Sequence, residues 1–296
     1  MKPAAFEYFA PDSVEEAAAI LNSYGGEARV LAGGQSLVPL LNMRLARPKA
    51  LVGLDRVAGL DHIRDENDMH LIGAMTRQRA VERSNLVVNS QPLLHEAVKL
   101  IAHPQIRNRG TIGGSLAHAD PAAELPATAV ALDAAFKVTG PDGSRTIAAC
   151  DFFVTFLTTA LQPDEVLTEV SFPKMPPRTG WCVQEIARRH GDFALAGAAV
   201  TVTLHSGGRC ADARIALFGV APTPLRARAA EGTLRGEALS DAGLEQASAR
   251  ASSEIQEPLS DIHASTQFRR HLAKVMTSRA LAVAVERAQR AGERDA

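Results

Sequence analysis

The chain has 296 residues, and its 32 Lys and Arg against 33 Asp and Glu give a near-neutral balance with no electrostatic case for nucleic acid. At 46% hydrophobic and 22% charged it has the composition of an ordinary soluble protein, long enough for two or three domains, while 4% aromatic residues argue against base-stacking platforms. Cys150, Cys182 and Cys210 are too few and too scattered to ligate an iron–sulfur cluster or a structural zinc.

Ser13-Val14-Glu15-Glu16 has the pattern of a capping box and predicts a helix to about Tyr24, stopped by Gly25-Gly26. Arg29-Val30-Leu31 reads as a buried strand that breaks at Gly33-Gly34. A helix is expected over Leu37 to Leu45, with Pro39 in its first turn, and a strand over Leu51 to Leu54. Leu60 to Ala74 reads as a hairpin turning at Asp65-Glu66-Asn67-Asp68. Helices are expected over Arg77 to Arg83 and Pro92 to Ile101. The stretch from His103 to Ser115 has neither period and predicts an ordered loop.

Ala122 to Leu132 predicts an Ala-rich helix, Phe136 to Ile147 a hairpin around Pro141-Asp142-Gly143, and Val166 to Phe172 a strand. Three prolines within Pro173 to Pro177 mark a domain boundary running to Gly180, since they interrupt helix and sheet alike. Beyond it, Trp181 to Arg189, Ala198 to His205 and Ala211 to Val220 read as three antiparallel strands. The remainder is helical and ends in Ser265 to Arg290. No stretch has the ~18 apolar residues of a membrane span, the N-terminus lacks a signal-peptide core, and the odd cysteine count suits a reducing compartment, so a cytoplasmic location is expected.

Chemistry concentrates in two glycine pairs, Ala32-Gly33-Gly34-Gln35-Ser36 and Thr111-Ile112-Gly113-Gly114-Ser115. Adjacent glycines let a backbone approach a ligand and form a concave nest of N–H donors, to which the hydroxyls add. Two such loops suit the two phosphates of a dinucleotide, although either pair alone also reads as a tight turn. Neither fits the G-x-G-x-x-G fingerprint, and no P-loop lysine is present, so a nucleotide here belongs to another fold.

Three runs carry a resemblance. Leu31-Ala32-Gly33-Gly34-Gln35-Ser36-Leu37, the stretch Pro104-Gln105-Ile106-Arg107-Asn108-Arg109-Gly110-Thr111-Ile112-Gly113-Gly114-Ser115-Leu116-Ala117-His118-Ala119-Asp120-Pro121, and Ala187-Arg188-Arg189-His190-Gly191-Asp192-Phe193-Ala194 closely resemble the FAD-binding medium subunit of the molybdenum hydroxylases. This is the xanthine dehydrogenase and carbon monoxide dehydrogenase family. The resemblance runs from about Phe6 to Arg287.

It implies an α+β chain with an FAD-binding fold of the vanillyl-alcohol oxidase and p-cresol methylhydroxylase type. Two subdomains, 1–56 and 57–176, would hold the flavin, followed by a C-terminal domain, 177–290, of a three-stranded sheet with helices, and a tail, 291–296. By the family pattern Arg29, Leu31, Ala32, Gly33, Gly34, Gln35 and Ser36 would wrap the FAD pyrophosphate and ribityl chain together with Thr111, Gly113, Gly114 and Ser115. Ala117 and Asp120 of the same motif join this set. Ile101 would lie near the flavin ring, and Glu124 near the adenosine half, where Asp is commoner. Leu167 matches an adenine-contacting position. Gln184 stands where several relatives place a lysine, so a charge-based role does not transfer. Phe193 would cover one face of the isoalloxazine, or else be a core residue at a strand start.

His103 and His118 read as hydrogen-bonding loop residues rather than covalent flavin anchors, and Arg107 and Arg109 as pyrophosphate ligands, partner contacts or plain surface charges. The resemblance further implies non-covalent FAD in this chain. The molybdenum cofactor would sit on a large partner and [2Fe–2S] clusters on a small one, in a dimer of heterotrimers. Electrons would pass through FAD to NAD, a quinone or oxygen, a task suited to flavin because it joins one- and two-electron carriers. Two rivals are a free-standing flavoenzyme of the same fold, similar to UDP-N-acetylenolpyruvoylglucosamine reductases, and a nucleotide-binding module that has lost its flavin.

Overall fold

The structure is a computed structural model and describes residues 1–294 of the chain. The elements run β1 (Glu7–Phe9), α1 (Val14–Ser23), β2 (Ala28–Leu31), α2 (Leu37–Asn42), β3 (Ala50–Gly53), β4 (Ile63–Glu66), β5 (Met69–Gly73), α3 (Gln78–Arg83), α4 (Asn85–Ser90) and α5 (Pro92–Leu100). They continue with α6 (Pro104–Arg107), α7 (Ile112–His118), α8 (Glu124–Ala131), β6 (Ala135–Gly140), β7 (Gly143–Ala148), α9 (Ala149–Phe152), β8 (Phe153–Thr155), β9 (Thr158–Thr159) and β10 (Val166–Pro173). The last are β11 (Thr179–Ala187), β12 (Ala194–Leu204), β13 (Cys210–Phe218), β14 (Leu225–Arg226), α10 (Arg228–Leu234), α11 (Asp241–Ser253) and α12 (Thr266–Arg294).

These elements form an α+β architecture around three principal sheets. The first is parallel, in the order β1-β3-β2, with Ala50 of β3 opposite both Glu7 and Ala28. Ser13 caps α1 as its sequence requires, its hydroxyl accepting from the Glu16 N–H while Glu16 accepts from the Asp12 N–H. Ala17 and Leu21 of that helix join Val52, Leu54 and Val166 in a small core. The second sheet is antiparallel, β4-β5-β10-β6-β7, and packs with α5, α7 and α8 over the largest core. The third is antiparallel, β11-β12-β13-β14. One of its faces, with Cys182, Ala198, Val200 and Ile215, packs against α10, α11 and α12. The opposite face, with Val183, Ala199, Ala216 and Phe218, belongs to the core of the second sheet. The third sheet is therefore joined to the second through a shared apolar layer.

Four local expectations are corrected. The stretch 103–115 holds two short helices, α6 and the first half of α7. Pro104 occupies the first position of α6, where its missing N–H costs nothing, and the Thr111 hydroxyl caps α7 by accepting from the Gly114 N–H at 3.0 Å. The helix expected to reach Leu45 stops at Asn42, and Arg44 turns left-handed at φ 58°. The third sheet has a short fourth strand, β14, beyond the three expected. The final helix continues through 291–294, four residues expected to lie in a separate tail; 295 and 296 lie outside the described residues. Sequence reading also passed over α4, capped by Ser84.

Candidate functional site

The two glycine loops meet. Gly33 lies against the backbone of Arg109 and Gly110, so closely that a Cβ on it would come within 2.8 Å of the Gly110 Cα, and Ala32 faces Gly114. Arg77 braces the junction: its guanidinium donates to the Arg109 carbonyl and to the Asp55 carboxylate beyond β3. The pairing of Gln78 N–H with Gly110 O and of Ile112 N–H with Thr76 O anchors the second loop to the segment that follows β5 of the second sheet.

The loops differ in what they have left to offer. In the second, the Gly113 N–H donates to Ala74 O and the Gly114 N–H to Thr111 Oγ1, so both glycine donors are spent on the fold. In the first, the N–H groups of Gly33, Gly34, Gln35 and Ser36 have no acceptor among the described residues. Gly34 is left-handed at φ 73°, the Gln35 amide folds back on Gly33 O, and the Ser36 hydroxyl makes no capping bond to α2. The anion nest expected of both loops is therefore available in 33–36, with Gly114 of the second loop against Ala32 beside it.

The third run reaches the same region. Gly191, at φ 84°, seats on the His103 ring, where a Cβ would fall 2.5 Å from the His103 Cε1. The His103 and His190 rings lie 5.9 Å apart. Phe193 is 71% exposed, which rules out the core alternative and leaves an aromatic face presented outward. Ile101 is buried at the end of α5.

Asp120 accepts from the Ala122 N–H and closes the turn between α7 and α8, with Ala117 half-buried on α7. Glu124 opens α8, and burial pushes its carboxyl up to about 8, assisted by the negative charges of Glu185 and Asp120. Leu167 is buried in β10, next to the irregularity that the strand makes before Glu169.

Two candidates point elsewhere. The Arg29 guanidinium turns back to Gly26 O and Ala28 O, on the α1 side of β2. Gln184 pairs with Ala198 on the face of β11 that packs against α12, and its amide donates to Cys182 Sγ at 3.5 Å. Strand alternation instead puts Glu185 opposite Gly197, on the face shared with Phe218. Sequence reading missed Glu185. Its carboxyl is raised by burial to about 7, and its Oε2 has no partner among the described residues. The signal was available: a lone acid alternating with Val183 on an otherwise apolar strand face.

Arg107 is neither a pyrophosphate ligand nor a surface charge. It is 6% exposed, paired with Glu82 and bonded to Ile101 O. The depression of about 530 Å³ between α1 and the second sheet, lined by His62, Arg64, Lys137 and Glu169, includes neither glycine loop. Among the described residues no group of His, Cys, Asp and Glu has the geometry of a metal centre, and no helix is long and apolar enough to cross a membrane.

Comparison with known proteins assigns both halves of the chain. A family described as the FAD binding domain in molybdopterin dehydrogenase matches residues 4–175, and the CO dehydrogenase flavoprotein C-terminal domain matches residues 181–284. The chain is 44% identical over 289 residues to the 6-hydroxypseudooxynicotine dehydrogenase complex subunit alpha of Paenarthrobacter nicotinovorans, covering 98% of this chain and 97% of that one. Its structure is similar to a chain of carbon monoxide dehydrogenase from Hydrogenophaga pseudoflava, with a TM-score of 0.94, 43% identity, and 97% and 99% of the two chains covered. It is also similar to a chain of quinoline 2-oxidoreductase from Pseudomonas putida 86, with a TM-score of 0.91, 39% identity, and 99% and 100% covered.

Proposed function

The chain belongs to the family of FAD-binding medium subunits of molybdenum-containing dehydrogenases, and from that premise we propose that it relays electrons from [2Fe–2S] clusters on a small partner, through non-covalent FAD, to an external acceptor such as NAD, a quinone or oxygen. The substrate is oxidised at a molybdenum cofactor on a large partner, in a cytoplasmic assembly of two heterotrimers. FAD when bound supplies the exchange between one- and two-electron carriers.

The observation that carries the reading is the first glycine loop, four consecutive N–H groups with no acceptor among the described residues, held against the second loop by a glycine contact that no side chain would permit. In this reading Gly33 to Ser36 donate to the pyrophosphate, and Thr111 and Ser115 add hydroxyls. Ile101 and Phe193 bound the ring, while Asp120, Glu124 and Leu167 meet the remaining parts of the cofactor. Arg29 and Gln184 supply no side-chain contact, because each is engaged elsewhere. The scattered cysteines match a chain that carries flavin and leaves the metal centres to its partners.

The test is the full-length chain purified with FAD. It should hold one flavin and show a flavin spectrum, yet hydroxylate nothing until the large and small partners are added. A chain that stays colourless after reconstitution with FAD, or one that turns over a substrate alone, would overturn the proposal.

A further inference from the structure

Arg107 is buried, yet it touches none of the residues proposed to meet the FAD phosphates. Its Nε and Nη2 donate to the Glu82 carboxylate at 2.9 and 3.3 Å, and Arg79 adds a third cationic contact to Glu82 at 2.8 Å. The Nη1 donates to Ile101 O at 2.7 Å and to Ala102 O at 3.4 Å. Those two carbonyls belong to a turn of unusual backbone: Ile101 ends α5 at φ −60°, ψ 110°, and Ala102 stands at φ 40°, left-handed without being glycine. A non-glycine residue in that region costs roughly 1 kcal/mol and persists where its surroundings over-determine it. Here Ile101 and Ala102 pack into the main core, and one guanidinium, whose Nε–Nη2 fork is held by a carboxylate, fixes the two successive carbonyls through Nη1.

We infer that Arg107 is a positioning residue for the flavin, clamping the strained Ile101–Ala102 turn so that the Ile101 side chain is held against the cofactor ring. This rests on the reading of Ile101 as a ring neighbour. The clamp runs from α3 through α6 to the end of α5, so three short helices that touch no phosphate set the apolar wall of the ring pocket. Releasing the turn lets Ile101 swing away and admits water, which favours the more highly charged redox state of the flavin over the less charged one.

The inference is tested on the full-length chain loaded with FAD. Arg107→Lys keeps the charge and loses the fork. Ala102→Val leaves the fork and makes the left-handed turn costlier at a half-buried position. Both should weaken FAD binding about tenfold, change the shape of the visible flavin band, and shift the midpoint potential upward by the equivalent of about a tenfold change in equilibrium, about 30 mV for a two-electron couple. Adding Ala102→Gly to Arg107→Lys should recover most of the shift, because glycine takes the left-handed conformation without help. Recovery by glycine is the outcome that a purely structural role for Arg107 does not produce.

If both single variants keep the wild-type spectrum, potential and affinity while only their melting temperatures fall, Arg107 is structural and the inference fails. If Arg107→Lys does not fold, Ala102→Val alone decides by the same readouts. Failure of the wild-type chain to bind FAD would instead defeat the proposed function, so the two results are separable.

Discussion

Glu124 is the residue on which the site's electrostatics turn. Its carboxyl titrates at about 8 in the folded chain, while an unfolded Glu titrates near 4.3, so between those values the folded state holds a proton that the unfolded state has lost. Stability therefore falls as pH rises through that window. The slope should be visible as a lower melting temperature of the flavin-free chain at pH 8 than at pH 5.5. Glu124→Gln removes the titrating group, so its melting temperatures at the two pH values should lie closer together; an unchanged gap would show that the raised carboxyl is not the cause. Gly33 makes a second residue-scale prediction. Gly33→Ala places a methyl group within 2.8 Å of the Gly110 Cα, so the loops must part at a cost of about 1–3 kcal/mol, and FAD affinity should fall at least tenfold in a fluorescence titration. The glycine pairs themselves were legible from sequence. Which N–H groups remained free was not, because that depends on Ala74 O and Thr111 Oγ1 claiming the donors of the second pair.

At the scale of elements, the third sheet is held to its neighbours by its apolar layer and by several side chains, among them Arg226 of β14, which donates to Val130 O and to Asp133 at the end of α8, and Arg287. Arg287 of α12 donates to Trp181 O of β11, pairs with Glu96 of α5 at 2.8 Å, and lies 5.2 Å over the Trp181 ring. Arg287→Ala removes three contacts at the junction of the two family regions and should destabilise the chain by roughly 2 kcal/mol, read as a lower denaturation midpoint. A cost near zero would mean that the apolar layer and the Arg214 and Arg226 contacts to Val130 and Asp133 hold the sheets together without it. The strands of this region were legible because β12 is a long run of small and β-branched residues and β11 and β13 carry the short apolar runs Trp181 to Val183 and Ile215 to Phe218. The short helices α6 and α7 were not, since 103–118 has no helical period and owes its helices to a proline at a first turn, a threonine cap and the anchor on Ala74. The same distinction separates Gln184 from Glu185. Adjacent in sequence, they lie on opposite faces of β11, and only the pairing with Ala198 and Gly197 shows which one looks toward the second sheet.

For the whole molecule, the three cysteines remain free, Cys182 and Cys210 buried and Cys150 exposed, so reductant should leave the melting temperature unchanged. A reductant-dependent shift would reveal a disulfide and change the redox compartment inferred from the sequence. The three motifs in order identified the family, and the resemblance they carry implied the fold class, while the cysteine count and spacing excluded cluster ligation, because these depend on residue identity and separation along the chain. The tertiary structure decided which parts of the motifs are available to a ligand. A distant carbonyl, Ala74 O, and a local hydroxyl, Thr111 Oγ1, consume the N–H groups of one glycine pair, while those of the other pair have no acceptor among the described residues; Arg107 is drawn inward by Glu82, and Gln184 is turned from the shared core by strand register. Hydrogen-bond satisfaction and packing are settled between segments that meet only in the folded chain, so no single run of residues records them.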